Sequence, residues 1–346
     1  MKVGQIKIDS SNEPVIVAEM SGNHNRSLER AIQLVDSVSK TGAQILKLQT
    51  YTADTITLDI DDDGFVISEK DSPWKGRSFH SLYQEAHTPW EWQKEIIERA
   101  NNLGLLCFSS VFDESSVDFL ESLNIPAYKI ASQECIHLPL IEKVASTNKP
   151  IVMSTGMASL AEIDEAVNLI RKTSSSEILL MKCTSSYPSN PENSNVLTIP
   201  YLKNIFGCEV GLSDHTLGIG AAVAAVSHGA TMIEKHFTLS RDDGGVDSAF
   251  SLEPQEMQLL VEETKRAWQS LGKIQFGPTE SEMISLSGRR SIYLSKDVKA
   301  GEKLSDKNMK IIRPNGGLPP KFYNVILGRK IKIDSKKGTP LSWSLF

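Results

Sequence analysis

No stretch of this sequence approaches the roughly 20 consecutive apolar residues that a membrane-spanning helix requires. The N-terminal stretch MKVGQIKIDSSNEP has no apolar core of a secretory signal. The expectation is therefore a cytoplasmic protein without a membrane partner. Cysteine is scarce: Cys107, Cys135, Cys183 and Cys208 are the four in 346 residues, and they form no CxxC pair or metal-knuckle spacing. That excludes a disulfide scaffold and fits a reducing compartment. Cys107 and Cys183 fall inside apolar runs and read as small hydrophobes. An excess of basic charge is also missing. With 37 Lys and Arg against 43 Asp and Glu, the net charge is -6, which argues against nucleic acid as a partner. An anionic small substrate stays open, because a local lysine cluster can reverse the field inside a cleft.

What is present is a repeated arrangement in which a short apolar run ends on a chemically useful residue. VIVAE ends at Glu19, ILKLQ at Gln49, LLCFSS at Ser110, AYKIAS at Ser132 and PIVMST by Ser154. LLMKCTSS ends at Ser186, EVGLSDH at His215 and TMIEKH at His236. Stretches with helical spacing lie between most of these runs. Ser27 and Gly42 bracket one helix, Pro89 and Gly104 another, and EPQEMQLLVEETKRAWQSLG closes the series. Eight strands alternating with helices predict an α/β fold, a (β/α)8 TIM barrel, with all eight strand ends around one mouth.

One connection breaks the rhythm. About forty residues follow Gln49 before the helix at Pro89, with Asp59, Asp61, Asp62 and Asp63 clustered, and Trp74 and Arg77 beyond. A loop of that length on a catalytic face reads as a lid or specificity element, or else as a solvated insertion. After Gly272 the pattern changes. The expected division is a barrel over 1–272, a linker over 273–288 and a small β-rich module over 289–346. SIYLS, KIIRP and RKIKI are the module's strand candidates.

Three groups of residues carry chemistry. His215 and His236 end neighbouring strands and are either divalent-metal ligands in an open site or hydrogen-bonded core-edge histidines. His24, just past the first strand, is a further candidate. Lys47 and Lys129 lie inside strands, and Ser110, Ser132, Ser154 and Ser213 lie at strand ends. A buried lysine needs an anion, so these either hold a phosphate or carboxylate or pair with Glu19, Glu134 and Glu234. The acids Glu19, Glu134, Glu234 and Asp247 can orient water, hold hydroxyls or move protons, although a lone Asp in a glycine-flanked loop defaults to a turn role. A metal-dependent aldolase or hydrolase on the same barrel, and a carbohydrate- or ice-binding protein, are the rival readings.

Taken together, VAEMSGNHNRSL, LKLQTY, YKIAS, STGMAS, KCTSSYP, GLSDHTLG, EKHFTL and FSLEP resemble the sialic acid synthase family across nearly the whole chain. The segments RSIYLSKDVKAGE and IIRPNGGLPPKFY resemble the antifreeze-like (SAF) domain found at the C-terminus of these synthases. The resemblance implies a transferase that condenses phosphoenolpyruvate with an N-acylated amino sugar. It implies a divalent metal, Mn2+ with Mg2+ or Co2+ as alternatives, on His215 and His236. Lys47, Lys129, Ser132, Ser154 and Ser213 match positions that hold phosphoenolpyruvate, and Ser110 stands where relatives often carry threonine. Glu19, Gln49, Glu134, Tyr187 and Asp247 match positions near the sugar and the reacting carbons. A domain-swapped homodimer is implied, with Arg313 reaching the other subunit's sugar. After EKHFT the chain reads GGVDSAFSLEP, with Ser248 where neuraminate- and legionaminate-forming members usually have His. The segment resembles the pseudaminate-forming branch, as does EAHTPWEW, which implies 2,4-diacetamido-2,4,6-trideoxy-L-altrose as acceptor.

Overall fold

The computed structural model describes residues 1–60, 62–68 and 72–346, so Asp61 of the acidic cluster lies outside the described residues. The chain divides into two compact units, Met1–Gly272 and Lys273–Phe346.

The first unit opens with a small antiparallel hairpin, β1 (Lys2–Val3) and β2 (Ile6–Lys7), followed by eight parallel strands. These are β3 (Val15–Glu19), β4 (Ile45–Thr50), β5 (Leu106–Val111), β6 (Tyr128–Ile130), β7 (Ile151–Ser154), β8 (Ile178–Cys183), β9 (Glu209–Asp214) and β10 (Met232–His236). They close into a barrel in chain order, with β10 hydrogen-bonded back to β3. This is the (β/α)8 architecture that the alternating pattern predicts.

The two faces of each strand separate two cores. Ile16, Ala18, Leu46 and Leu48 pack outward with helix residues such as Leu34 and Ile96. Val15, Val17, Ile45, Phe108, Val152, Leu179 and Met232 fill the barrel interior, joined by Val3 and Ile8 from the hairpin region. Because side chains alternate along a strand, the residues two positions further on in the same inward columns are Glu19, Lys47, Ser110, Ser154, Met181 and Glu234. Apolar packing fills the N-terminal half of the barrel, and polar groups take over towards the C-terminal ends.

Helices lie where the spacing places them: Leu28–Val38 is capped by Ser27, whose side chain accepts the Arg30 N–H, and Trp90–Asn102 starts after Pro89. The helix after β10, Pro254–Leu271, carries a capping box between Glu253 and Glu256. The long connection after β4 is not structureless; it holds helices Ala53–Ile56 and Phe79–Ala86. No helix among the described residues is long and apolar enough to cross a membrane.

The second unit has one antiparallel pair, β11 (Ser291–Leu294) with β12 (Met309–Ile312), and its own core around Ile292, Leu304, Met309, Ile326 and Leu341. RKIKI is not a full strand: it contributes a single bridge, Lys303 to Lys330. The segment 273–288 forms two short 3-10 turns, Glu280–Glu282 and Ile284–Gly288.

Candidate active site

Parallel register brings the strand-end residues together. Glu19 is paired with Lys47 on one side and His236 on the other. Gln49, Ser110 and Lys129 form a row across β4, β5 and β6. Cys183, Ser213 and Glu234 form another across β8, β9 and β10. None of these residues is adjacent in sequence.

At the centre, Lys47 Nζ lies 2.7 Å from Glu234 Oε1 and 3.1 Å from Glu19 Oε2. Lys129 Nζ lies 3.2 Å from Glu234 Oε2, and Ser213 Oγ donates to Glu234 Oε1 at 3.2 Å. Both lysines are almost fully buried, as are both acids. Burial works to raise the Glu234 pKa, but Lys129 and Lys47 outweigh it and hold the carboxyl well below the usual range. Glu19 shows the opposite balance: burial pushes it up to about 7 against the pull of Lys47. Its Oε1 accepts from Gln49 Nε2 at 3.0 Å and from the Ser21 N–H at 3.1 Å. With Glu234 ionised and Glu19 only partly so near neutral pH, the two ammonium groups retain positive charge for an incoming anion.

The strand-end hydroxyls surround this cluster. Ser132 Oγ accepts the Gly156 N–H at 3.2 Å, while Ser154 Oγ is buried without a hydrogen-bond partner. Ser110 is buried beside Lys129 in the register row. A Cβ on Gly156 would come within 2.5 Å of Ser185 Oγ and 2.7 Å of Ser132 Oγ, so only glycine lets the backbone approach these hydroxyls.

The imidazoles form the other end of the site. The His215 and His236 ring centroids are 5.3 Å apart. Thr184 O can only accept, so the 3.0 Å contact to His215 Nδ1 places a proton there. His236 Nδ1 is buried without a hydrogen bond, 3.6 Å from Asp247 Oδ2, and burial holds its pKa well below the usual range. A neutral, orphaned imidazole nitrogen beside a second one suits a divalent cation. Among the described residues no set of three His, Cys, Asp or Glu side chains surrounds a metal position, so water and substrate oxygens would complete the shell.

Asp247 is not merely a turn residue. Its carboxylate accepts from Ser21 Oγ, its carbonyl accepts from Ser251 Oγ at 2.7 Å, and Asn23 Nδ2 donates to that same Ser251 Oγ at 2.8 Å. Glu134 stands one turn past β6. Burial pushes its carboxyl up to about 7 and leaves Oε2 unpartnered. The lysine partners are Glu19 and Glu234, and Glu134 is not among them. Tyr187 packs 4.4 Å from the His215 ring.

Two expectations change. β8 ends at Cys183, so Cys183 rather than Ser186 occupies the inward column; Ser186 is exposed and donates to Pro188 O at 3.2 Å. His24 packs edge-on against Trp92 at 5.7 Å and its Nδ1 accepts the Arg26 N–H, which directs it to the helix layer. Arg313 lies in the second unit, as its place in the C-terminal module implies, and is exposed. Sequence reasoning passed over Ser21, Asn23, Tyr51 and Phe250. The first two share the β3 turn with Glu19, which was the available signal. Tyr51 is buried one residue past β4, where the burial and the nearby Asp247 charge keep its hydroxyl protonated.

A sequence model described as the NeuB family matches residues 34–276. The chain belongs to the NeuB family. The SAF domain matches residues 289–346, so both parts expected from the motifs are present. Among NeuB relatives, the pseudaminic acid synthase of Helicobacter pylori is 43% identical over 331 residues, covering 95% of this chain and 96% of that protein. The pseudaminic acid synthase of Campylobacter jejuni is 40% identical over 341 residues, covering 99% and 98%. Among solved structures, the N-acetylneuraminic acid synthetase of Leptospira borgpetersenii superposes with a TM-score of 0.73 at 30% identity, covering 83% of this chain and 94% of that one.

Proposed function

We infer that this chain catalyses the pseudaminic acid synthase reaction: phosphoenolpyruvate, 2,4-diacetamido-2,4,6-trideoxy-L-altrose and water give pseudaminate and phosphate. The identity of 40–43% over nearly the full chain with two pseudaminic acid synthases carries the acceptor assignment. The buried Lys47–Glu234–Lys129 cluster beside two imidazoles carries the chemistry.

Lys47 and Lys129, with the hydroxyls of Ser110, Ser132, Ser154 and Ser213, hold the phosphate and carboxylate of phosphoenolpyruvate. Gln49, Glu134, Tyr187 and Asp247 hold the open-chain sugar so that its aldehyde faces C3 of phosphoenolpyruvate, and this proximity supplies much of the rate. A divalent ion on His215 and His236, Mn2+ or alternatively Mg2+ or Co2+, supplies Lewis acidity at the aldehyde oxygen when bound. C3 attacks the aldehyde carbon, whose oxygen takes up a proton to become a hydroxyl, and C2 gains oxocarbenium character next to the Glu234 charge. Glu19, poised near neutrality between Lys47 and Gln49, orients a water and takes its proton as the oxygen adds to C2. The tetrahedral carbon then expels phosphate by C–O cleavage.

The working unit is a homodimer in the cytoplasm, with Arg313 of the partner subunit reaching the sugar. Charge supports this pairing. Residues 273–346 hold 15 Lys and Arg against 6 Asp and Glu, whereas residues 1–272 hold 22 against 37. A basic module and an acidic barrel are complementary across a subunit interface.

The test is phosphate release from phosphoenolpyruvate with Mn2+ and three acceptors in parallel: the diacetamido-trideoxy-altrose, N-acetylmannosamine and the legionaminate precursor. Release with the altrose alone, and a product of pseudaminate mass, is the expected result. Release with another acceptor overturns the sugar assignment and keeps the mechanism; no release with any overturns both.

A further inference from the structure

The long segment after β4 sends one side chain to the mouth. The Trp74 indole N–H donates to Val246 O at 2.9 Å, which ties the segment to the loop after β10. The Trp74 ring lies 5.7 Å from Tyr187 and 6.4 Å from Phe250, and those two rings are 5.4 Å apart. Tyr187 in turn sits 4.4 Å from His215, and Phe250 sits 5.0 Å from His236. Three rings from three separate connections thus form one continuous wall that begins at the imidazoles and ends at Trp74.

This wall is chemically unlike the rest of the site. The ammonium and carboxylate groups gather on the strand ends and the Tyr187 hydroxyl is the wall's one phenol, whereas at the far end Phe250 has no polar atom and the only N–H of the Trp74 ring is already taken by a backbone carbonyl. A hydroxyl pressed against the Trp74 ring would lose water and meet no partner on it, while a methyl group would gain apolar contact. Trp74 packs on the outer side of Tyr187 and Phe250 rather than on an imidazole. An open-chain acceptor whose aldehyde lies at the imidazoles would therefore bring its opposite end to Trp74.

We propose that Trp74, backed by the buried Phe250, is a specificity-determining residue that selects an acceptor sugar deoxygenated at C6, by packing against the C6 methyl group. This rests on the synthase reading above. It assigns a role to the long connection, which is to carry one aromatic ring across the mouth to the β10 loop. The selectivity has a natural ceiling, since an apolar pocket rejects an added hydroxyl by no more than about 100-fold.

The test compares two acceptors that differ at one atom, 2,4-diacetamido-2,4,6-trideoxy-L-altrose and its 6-hydroxy counterpart, by kcat/KM for phosphate release. The wild-type enzyme is expected to prefer the deoxy sugar by about 10- to 100-fold. Trp74→Ala should lower kcat/KM for the deoxy sugar by about tenfold or more. The same variant should change the 6-hydroxy sugar by less than about threefold and leave KM for phosphoenolpyruvate unchanged. Trp74→Phe should keep most of the preference, and Phe250→Leu should reduce it; these two milder variants carry the test if Trp74→Ala does not fold. Equal losses for both acceptors in the variants, or no preference in the wild type, overturn the proposal while phosphate release with the deoxy sugar leaves the synthase reading standing. If the wild type releases phosphate with neither of these sugars, the acceptor assignment and the proposal that rests on it both fall.

Discussion

Lys47 on β4 reaches past β3 to bond Glu234 on β10, with Nζ 2.7 Å from Oε1. The two residues are 187 positions apart in sequence. The contact forms because inward side chains of a narrow barrel meet over the axis, so a charge on one strand can be matched from a strand that is not its neighbour. The same carboxylate also serves Lys129, which makes Glu234 the common anion of two buried cations.

Removing that anion should therefore be costly. Glu234→Gln leaves Lys47 with Glu19 and takes from Lys129 the carboxylate it is paired with, and breaking a buried pair in this way costs about 3–5 kcal/mol. Urea unfolding of the substrate-free protein should show a loss of that order. Added phosphoenolpyruvate, an anion that can face the two lysines, should recover more of the variant's stability than chloride does at equal ionic strength. An unchanged unfolding midpoint would contradict the buried pairing.

The imidazole pair makes a separate prediction. His215→Ala should abolish stoichiometric Mn2+ binding measured by titration calorimetry and lower phosphate release by about 100-fold or more, since a Lewis acid contributes several kcal/mol at the transition state. A folded His215→Ala protein with full activity after trace metal is removed would exclude the metal role.

Glu134 makes stability depend on pH. Its folded pKa is raised from 4.5 to about 7 by burial, so the folded state holds the proton more tightly than the unfolded chain. Its contribution is fully present below pH 4.5 and is lost as pH rises through about 7. Glu134→Gln should therefore flatten the fall in Tm across that window, and should leave the variant more stable than the wild type at pH 8 without substrate. Parallel Tm–pH curves for the two proteins would show that Glu134 titrates normally.

Subunit mixing checks the proposal that Arg313 completes the site of a partner subunit. Arg313→Ala and His215→Ala proteins should each be nearly inactive alone. Mixed after dissociation, they should regain activity, because one site of the mixed dimer would combine an intact barrel with an intact Arg313 from the partner. No recovery, with dimers verified by light scattering, would place Arg313 outside the site.

Much of this was legible in the chain. Glu19, Lys47, Lys129, Ser213 and Glu234 could be singled out because a charged or hydroxyl residue at the end of an apolar run is conspicuous, and the barrel follows from eight such runs with helical spacing between them. Where the strand end itself was ambiguous, in KCTSSYP, the choice fell on Ser186; the hydrogen-bond ladder stops at Cys183. The opening hairpin that brings Val3 and Ile8 to the barrel interior was not legible, because two-residue strands leave no periodicity to read.

By itself, then, the sequence determined the order of strands and helices, the inward columns that run from apolar to polar, the second module and the residue types available at the mouth. These are properties of local periodicity and of composition along the chain. The tertiary structure decided which of those residues meet: that Lys47 and Lys129 share Glu234 and not Glu134, that Ser21 and Asn23 hold the Asp247 loop, and that Trp74 crosses to Val246 and Phe250. Those pairings depend on barrel closure and strand register, which bring distant positions within a few ångströms for reasons no local pattern encodes.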